Sequence, residues 1–418
     1  MSAIPARFLD ERKSMACVHC GLCLGSCPTY LETGNENDSP RGRIHLMRAV
    51  QDGRMELADE PIRHLDTCLG CRACETACPS GVAYGELLEH TRHFIEGRHT
   101  RSWPERWLRD VLIERVFPYP ERMDLALRPA QWLRAAGMEK WLPERARTMV
   151  ELLPKQSSWR TLPAFSPAEG EVKGTLGMLS GCVMQVLFGD THQHTIRLLN
   201  RSGWNVVVPP AQSCCGALHS HAGKLELARD SARRNIEVFE QARVDAVVVN
   251  AAGCGSAMKG YASLFEERDE WCERARRFAS KVRDLSEVLD FTRFVAGPWR
   301  RGKVTFHDAC HLAHAQGITR QPRQWVRKVA GEHYVELPEA EVCCGSAGSY
   351  NLTELEMAAR LQRRKVEKIG ATGALTVVTS NPGCQMQIEA GLRNMGYPQV
   401  RVMHLADFLA EAVLAADL

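Results

Sequence analysis

The sequence predicts a multidomain protein of mixed α+β and α/β class, in which a cysteine-rich, mainly α-helical N-terminal domain precedes two copies of one α/β module. Three observations lead to this prediction: a four-cysteine motif occurs twice near the start, a cysteine-free helical stretch follows, and a second cysteine pattern then repeats at an almost constant interval. We expect four regions, with these boundaries: 1–95 (N-terminal domain), 96–170 (helical linker rich in Trp and Arg), 171–300 (first module) and 301–418 (second module).

The composition is typical of a globular protein. Of the 418 residues, 44% are hydrophobic and 25% are charged, and the formal net charge of +3 argues against a nucleic-acid partner. No apolar run is long enough to span a membrane and no secretory h-region is visible, so we expect a cytoplasmic protein that lies peripherally on the inner face of the membrane. In a reducing compartment the 17 cysteines are better explained as metal ligands than as disulfides.

The two N-terminal motifs have the spacing of iron–sulfur ligands. Each reads C-x-x-C-x-x-C-x-x-x-C-P, at residues 17–28 and again at 68–79. In bacterial two-cluster ferredoxins the fourth cysteine of such a run ligates the other cluster, which explains why the motif occurs twice. A ferredoxin-like domain with two [4Fe–4S] clusters is therefore predicted, with these ligands: Cys17, Cys20, Cys23 and Cys78 for cluster 1, and Cys68, Cys71, Cys74 and Cys27 for cluster 2.

The alternative for these motifs is a pair of zinc sites. Zinc modules usually pair two C-x-x-C units across a longer gap, whereas here three cysteines follow one another at successive spacing. Thiolate is a soft ligand that suits both zinc and iron–sulfur clusters, so the spacing rather than the ligand type favours the clusters.

The linker contains tryptophans interleaved with arginines. Apolar residues recur at helical spacing but prolines interrupt them, which predicts short, broken helices. Four tryptophans could form a surface that rests on a membrane or on a partner subunit: Trp103, Trp107, Trp132 and Trp141. The alternative is that they pack between domains.

The second cysteine pattern indicates a duplicated module. Each copy has a single cysteine, a Cys–Cys–Gly triplet and a final cysteine, and the copies are offset by 128 to 130 residues. The cysteines follow strand-like runs and precede helical ones, as at the carboxyl ends of parallel strands. We expect four thiols to converge in each module, as candidate ligands of a further cluster, redox groups or a quinone site: Cys182, Cys214, Cys215 and Cys254, then Cys310, Cys343, Cys344 and Cys384.

Other residues in the modules have weaker signals. The candidate proton-relay or hydrogen-bonding residues are histidines near the cysteines, although a lone histidine is more often structural: His219, His221, His307, His311 and His314. Cys272 has no counterpart in the second copy and is expected to be an inert packing residue. No GxGxxG or Walker A motif indicates a nicotinamide, flavin or nucleotide site.

With these motifs the chain resembles the iron–sulfur subunits of bacterial glycolate oxidase (glycolate dehydrogenase) over nearly its whole length, including SPRGRIHLMRAV at residues 39–50. The same motifs occur in lactate-utilisation iron–sulfur proteins, the small subunit of anaerobic glycerol-3-phosphate dehydrogenase and heterodisulfide reductase subunits. The resemblance implies a membrane-associated complex in which an FAD-containing 2-hydroxy-acid dehydrogenase subunit oxidises glycolate to glyoxylate. This chain, without catalytic residues of its own, would pass the electrons towards a quinone.

The resemblance has one departure. In heterodisulfide reductases each module ends in C-x-x-C and holds a noncubane cluster, whereas here the last position is Ala257 or Gln387. Four thiols per module remain, which is enough for an ordinary cubane. Three other functions are kept open: the corresponding subunit of a lactate or glycerol-3-phosphate dehydrogenase, a heterodisulfide-reductase-like thiol–disulfide enzyme that uses the paired cysteines, and a scaffold in which clusters only stabilise the fold.

Overall fold

The computed structural model describes residues 7–154, 158–295 and 297–413. Among the described residues, its N-terminal domain contains six α-helices: α1 (Glu11–Met15), α2 (Pro28–Thr33), α3 (Pro40–Gln51), α4 (Asp59–Asp66), α5 (Ala73–Thr76) and α6 (Tyr84–Glu96). Proline opens α2 and α3, where its missing N–H and fixed φ suit the first helical turn.

The two cysteine motifs curl in the same way. In each motif the second cysteine is flanked on both sides by residues with positive φ, His19 and Gly21 in the first motif and Gly70 and Arg72 in the second. Left-handed residues are rare outside glycine, so a matching pair in each loop indicates that the same tight turn is required twice.

The linker is helical up to residue 152. It comprises α7 (Trp103–Trp107), a π-helical turn at Leu108–Val116, α8 (Pro120–Ala135) and α9 (Glu144–Leu152). Helix α8 is longer than the sequence predicts, because Pro129 lies inside it rather than ending it. An interior proline costs about 3 kcal/mol; burial of apolar side chains of α8, such as Met123, against the first module opposes that cost.

The first module contains a five-stranded sheet in the order β1-β3-β2-β4-β5, parallel except for β1. Its strands are β1 (Phe165–Ser166), β2 (Gly174–Met178), β3 (Trp204–Val207), β4 (Ala246–Val249) and β5 (Val282–Asp284). Its helices are α10 (Val183–Leu187), α11 (Gly189–Arg201), α12 (Ala217–His221), α13 (Leu225–Gln241), α14 (Ala252–Lys259), α15 (Glu270–Ala279) and α16 (Leu285–Val288).

The second module contains a smaller parallel sheet in the order β6-β7-β8. Its strands are β6 (Val304–Phe306), β7 (Thr376–Thr379) and β8 (Arg401–His404), and its helices are α17 (Arg320–Ala330), α18 (Tyr350–Thr353), α19 (Leu355–Thr372), α20 (Pro382–Asn394) and α21 (Leu405–Val413). An isolated bridge between Val304 and Tyr334 lies where the first module has a further strand. Strand β7 is buried along its whole length, as expected for a parallel sheet covered on both faces.

The two modules are packed together through one hydrophobic core, which takes residues from both sheets. At the ends of β4 and β7 they also share hydrogen bonds: the Ala252 N–H donates to the Ser380 carbonyl at 3.0 Å, and His404 Nε2 lies 2.7 Å from the Asn250 carbonyl. The carboxyl ends of the two central strands therefore meet, and the cysteines that follow them face each other. Across the described residues, no helix is both long and apolar enough to cross a membrane.

Candidate metal centres

The thiols predicted for cluster 2 lie together in the interior of the N-terminal domain. Cys27, Cys68, Cys71 and Cys74 are all buried, and they line one small cavity beneath α3 and α6. Cys27 directly precedes α2, whereas the other three belong to the second motif. The structure thus brings the last cysteine of the first motif to the first three cysteines of the second.

A buried arginine accompanies these thiols. Arg43 of α3 is fully buried; its Nη1 lies 3.9 Å from the Cys27 Sγ, and its Nε donates to the His64 carbonyl at 2.6 Å. Burial alone would raise the pKa of the Cys68 thiol, but the charges of Arg43 and Arg92 outweigh it and the pKa is lowered. Burial raises the pKa values of Cys71 and Cys74 well above the usual thiol value.

Two neutral donors point at the Cys68 sulfur. The Tyr84 hydroxyl donates to it at 3.5 Å and the Gly70 N–H at 3.4 Å. Donors of this kind stabilise a thiolate and, where a cluster is bound, raise its reduction potential. These two donors, like Arg43, therefore favour negative charge at this set of sulfurs.

The thiols predicted for cluster 1 lie closer to the surface. Cys17, Cys23 and Cys78 are half-buried and pack against the core of the N-terminal domain, while Cys20 is exposed. Burial raises the pKa of the Cys23 thiol. Near Cys20 in the chain, the apolar residues Val18 and Leu22 are exposed as well.

In the first module the four predicted thiols come together. The Cys182 Sγ lies 3.5 Å from the Cys214 Sγ, Cys214 contacts Cys215, and Cys215 contacts Cys254. The Tyr261 hydroxyl donates to the Cys215 carbonyl at 2.9 Å and so holds the Cys–Cys–Gly turn in place.

The second module repeats this arrangement. Cys310 contacts Cys343, Cys343 contacts Cys344, and Cys344 contacts Cys384. His307 is also present: its ring lies with the Cys344 and Cys384 thiols in a group whose ligand atoms are all within 4.8 Å of one another. Burial first, and then the charge of Lys365, lowers the pKa of His307, so that its ring is neutral.

Two features connect these thiol sets. Cys71 of the N-terminal domain packs with Cys310 and Cys343 in one buried cluster, so two of the sets lie side by side. A cavity of about 400 Å³ lies between the modules. Thiols of both modules line it, and so do apolar side chains of α8 and α9, such as Leu127 and Val150.

The remaining predicted residues have varied environments. His221 and His311 line the cavity with ring centroids 5.2 Å apart, and His311 Nε2 lies 3.1 Å from the Gly70 carbonyl. His314 Nδ1 lies 3.1 Å from the Thr76 hydroxyl, and His219 is buried. Cys272 is buried in the core of the first module.

Ala257 and Gln387 stand where heterodisulfide reductases have the last cysteine of C-x-x-C, and they supply no fifth thiol. Ala257 packs against the core of the first module. Gln387 accepts from Asn351 at 3.0 Å and donates to the Ala358 carbonyl at 3.4 Å. Its amide is therefore engaged within the protein.

The linker tryptophans do not pack between domains. All four are exposed, Trp141 by 80% and Trp103 by 72% of their surfaces. Exposed tryptophans are candidates for contact with a membrane or a partner.

Sequence analysis missed Arg43 and Tyr84. Arg43 lies on the buried face of α3, in the spacing of Pro40, Ile44 and Met47. A charged residue within that apolar stripe, one helix away from a cysteine motif, is a signal that could have identified it.

These donor sets fit iron–sulfur clusters. Thiolate sulfurs are soft ligands, four of them converge in each buried set, and a buried cation with two hydrogen-bond donors lies where a cluster would add negative charge. The fold and these sites define an iron–sulfur protein.

Comparison with known proteins agrees with this class. Residues 13–82 match the 4Fe-4S dicluster domain, and residues 176–259 and 304–389 match the cysteine-rich domain that carries the Cys–Cys–Gly pattern. These matches indicate iron–sulfur clusters and confirm the duplicated module.

Full-length relatives identify the family. The chain is 41% identical to the probable glycolate oxidase iron-sulfur subunit of Bacillus subtilis, over 97% of this chain and 95% of that protein. It is 34% identical to the glycolate oxidase iron-sulfur subunit of Escherichia coli, over 93% of each. The lactate utilization protein A of Oceanobacillus iheyensis is 30% identical over 54% of this chain and 93% of that protein. The chain belongs to the family of glycolate oxidase iron–sulfur subunits.

Proposed function

We propose that the chain is the electron-transfer subunit of a glycolate oxidase complex that contains an FAD-dependent 2-hydroxy-acid dehydrogenase subunit. The observation that carries this proposal is the packing of Cys71 against Cys310 and Cys343, which makes the thiol sets of the N-terminal domain and the second module neighbours. A continuous row of ligand sets is what a protein needs to conduct electrons through its interior. The names of the relatives support the choice of glycolate as the substrate of the complex.

The proposed ligands of the two [4Fe–4S] clusters are the two interlocked sets: Cys17, Cys20, Cys23 and Cys78, and Cys68, Cys71, Cys74 and Cys27. When bound, the clusters supply one-electron transfer. The chain positions the thiolates, excludes water from the second set and balances its charge with Arg43. The exposed edge at Cys20, with Val18 and Leu22, suits docking of the partner that delivers electrons.

The proposed electron acceptor is a quinone, which would enter the cavity between the modules. The lining is mostly apolar, as a quinone ring and its isoprenoid tail require, while His221 and His311 place polar groups near the thiols. The exposed tryptophans of the linker support peripheral contact with the inner face of the cytoplasmic membrane, where such a quinone is found.

The cluster assignment is tested on the full-length protein purified anaerobically. We expect about eight iron atoms from the N-terminal domain, in addition to any iron in the modules, and a paramagnetic iron signal after reduction. Cys27→Ser and Cys23→Ser, which belong to different predicted sets, should each weaken a different part of that signal. Zinc in place of iron, or no signal after reduction, would contradict the assignment.

The substrate and partner are tested on the co-purified complex. Glycolate should reduce the clusters, so that the paramagnetic iron signal appears, when the flavoprotein subunit is present, and it should leave the clusters oxidised when that subunit is absent. Because the chain also resembles a lactate utilization protein, lactate is the comparison substrate. If the signal responds to lactate but not to glycolate, lactate replaces glycolate as the substrate of the complex.

The quinone site is tested by filling the cavity. Leu127→Trp on α8 adds bulk inside the cavity, whereas Leu125→Trp on the same helix adds it to the exposed side. We expect the first variant to lower quinone reduction by the complex and the second to leave it unchanged, with equal iron contents. Equal rates in both variants would exclude this cavity as the quinone site.

Membrane contact is tested by flotation with liposomes. Replacing Trp103 and Trp141 by serine should reduce co-flotation of the complex, because two large exposed rings are removed from the linker surface. Exchange of the exposed Tyr119 for serine gives a comparison with another exposed ring of the linker. Unchanged flotation of the tryptophan variant would place the membrane contact elsewhere.

A further inference from the structure

His307 in the second module is an unusual buried histidine. It is 0% exposed, and neither ring nitrogen has a hydrogen-bond partner among the described residues. The Ala340 carbonyl lies beside the ring but outside hydrogen-bonding geometry, and it accepts from Lys365 Nζ at 3.3 Å. A buried polar group without a partner costs about 1–3 kcal/mol, so the ring is expected to have a partner in the functional protein.

The position of the ring indicates what that partner is. One ring nitrogen and the thiols of Cys344 and Cys384 lie within 4.8 Å of one another, and all three residues are buried. Two soft sulfurs and one imidazole nitrogen around a common point form a metal-ligand set. The orphaned nitrogen and the ligand geometry are separate observations that lead to the same point.

The first module lacks this residue. Leu179 stands 128 residues before His307, the same offset that separates Cys182 from Cys310. Leu179 is buried in the core of the first module, at the end of β2. The two modules therefore have matching thiols but different donors: four sulfurs in the first, and four sulfurs and one nitrogen in the second.

We propose that His307 is a nitrogen ligand of an iron–sulfur centre in the second module, together with Cys344 and Cys384, whereas the centre of the first module has thiolate ligands only. This inference rests on the proposed iron–sulfur role of the modules. A neutral imidazole that takes the coordination position of a thiolate leaves the centre with less negative charge, so the second module has the higher reduction potential of the two.

The test uses the full-length protein, produced anaerobically with histidine labelled with ¹⁵N in the ring only. Pulsed EPR of the paramagnetic iron signals should detect a strong coupling to a ring nitrogen, which changes with the isotope. His307→Leu should remove this coupling while the signals of the N-terminal domain persist. His307→Cys should keep the iron and lower the potential of the centre, which also covers the case in which the leucine variant fails to fold.

Two further variants give the controls. His219 is also buried, and its two ring nitrogens also lack hydrogen-bond partners among the described residues; it does not share a ligand group with two thiols there. His219→Leu should therefore leave the coupling unchanged. Leu179→His places an imidazole at the position of the first module that corresponds to His307. This variant should add a second nitrogen coupling.

The outcomes separate this inference from the proposed function. Iron that depends on Cys344 and Cys384 but has no ring-nitrogen coupling would overturn the ligand assignment and leave the electron-transfer proposal intact. Iron content and signals that do not change in Cys344→Ser and Cys384→Ser would overturn both the inference and the proposed centre in this module. Zinc bound at His307 in place of iron would also overturn the inference.

Discussion

The two N-terminal cysteine motifs have the same spacing and the same turn geometry, but they lie in different environments. Around the first motif Cys20 is exposed and Val18 is 69% exposed, whereas Cys68, Cys71 and Cys74 of the second are all buried. A buried cation, Arg43, lies near Cys68 of the second motif and near Cys27, the last cysteine of the first motif, which joins the buried set. The comparison teaches that equal spacing and equal turns do not give equal surroundings: one set of thiols reaches the surface, and the other is enclosed beside a cation.

The largest difference is expected in the release of iron. A chelator under mildly oxidising conditions should remove about four irons quickly from the set that contains exposed Cys20 and all the remaining iron slowly. Iron release followed by absorbance would then be biphasic. Release of all the iron in one phase would mean that the difference in burial does not protect the second set.

Loss of a ligand should destabilise the protein more at the buried motif. Cys71→Ser places a hydroxyl among apolar neighbours and disturbs the contact with Cys310 and Cys343, whereas Cys20→Ser changes an exposed position. We expect the free energy of unfolding to fall by about 2 kcal/mol more in Cys71→Ser. Anaerobic thermal unfolding of both variants measures this, and equal losses would contradict it.

Charge should affect the buried and the exposed sets of thiols unequally. Arg43→Met removes a fully buried cation near Cys27, while Arg41→Met, two residues earlier in α3, removes a more exposed cation that donates to the His19 carbonyl of the first motif. Because a nearby positive charge favours the reduced centre, the potential should fall by on the order of 100 mV in Arg43→Met and much less in Arg41→Met. Redox titration followed by EPR measures both, and a larger fall in Arg41→Met would refute the comparison.

The smallest expected effect comes from a neutral donor. Tyr84→Phe removes the hydroxyl that donates to the Cys68 sulfur at 3.5 Å, which is worth about 1 kcal/mol, or roughly 40 mV for a one-electron couple. The potential of the buried set should fall by that amount. Tyr30→Phe in α2 is the control, and equal shifts in the two variants would exclude a specific contribution from Tyr84.

Much of the fold could be predicted from local pattern. The runs before Cys182, Cys254, Cys310 and Cys384 are strands, as predicted. Short runs of β-branched and apolar residues bounded by glycine and polar residues favour strands over helices. Strand β1 within the linker and the continuation of α8 through Pro129 were not predicted. Both depend on packing against the first module, which local propensity does not contain.

For the candidate sites, the sequence by itself determined which residues carry sulfur, their spacing and the duplication that relates the two modules. Only the tertiary structure decided that Cys71 lies against Cys310, that Arg43 is buried beside Cys27, and that His307 lies beside Cys344 and Cys384. The physical reason is range: ligand type and turn geometry are set within a few residues, whereas burial, charge and neighbouring sulfurs come from segments that are far apart in the chain.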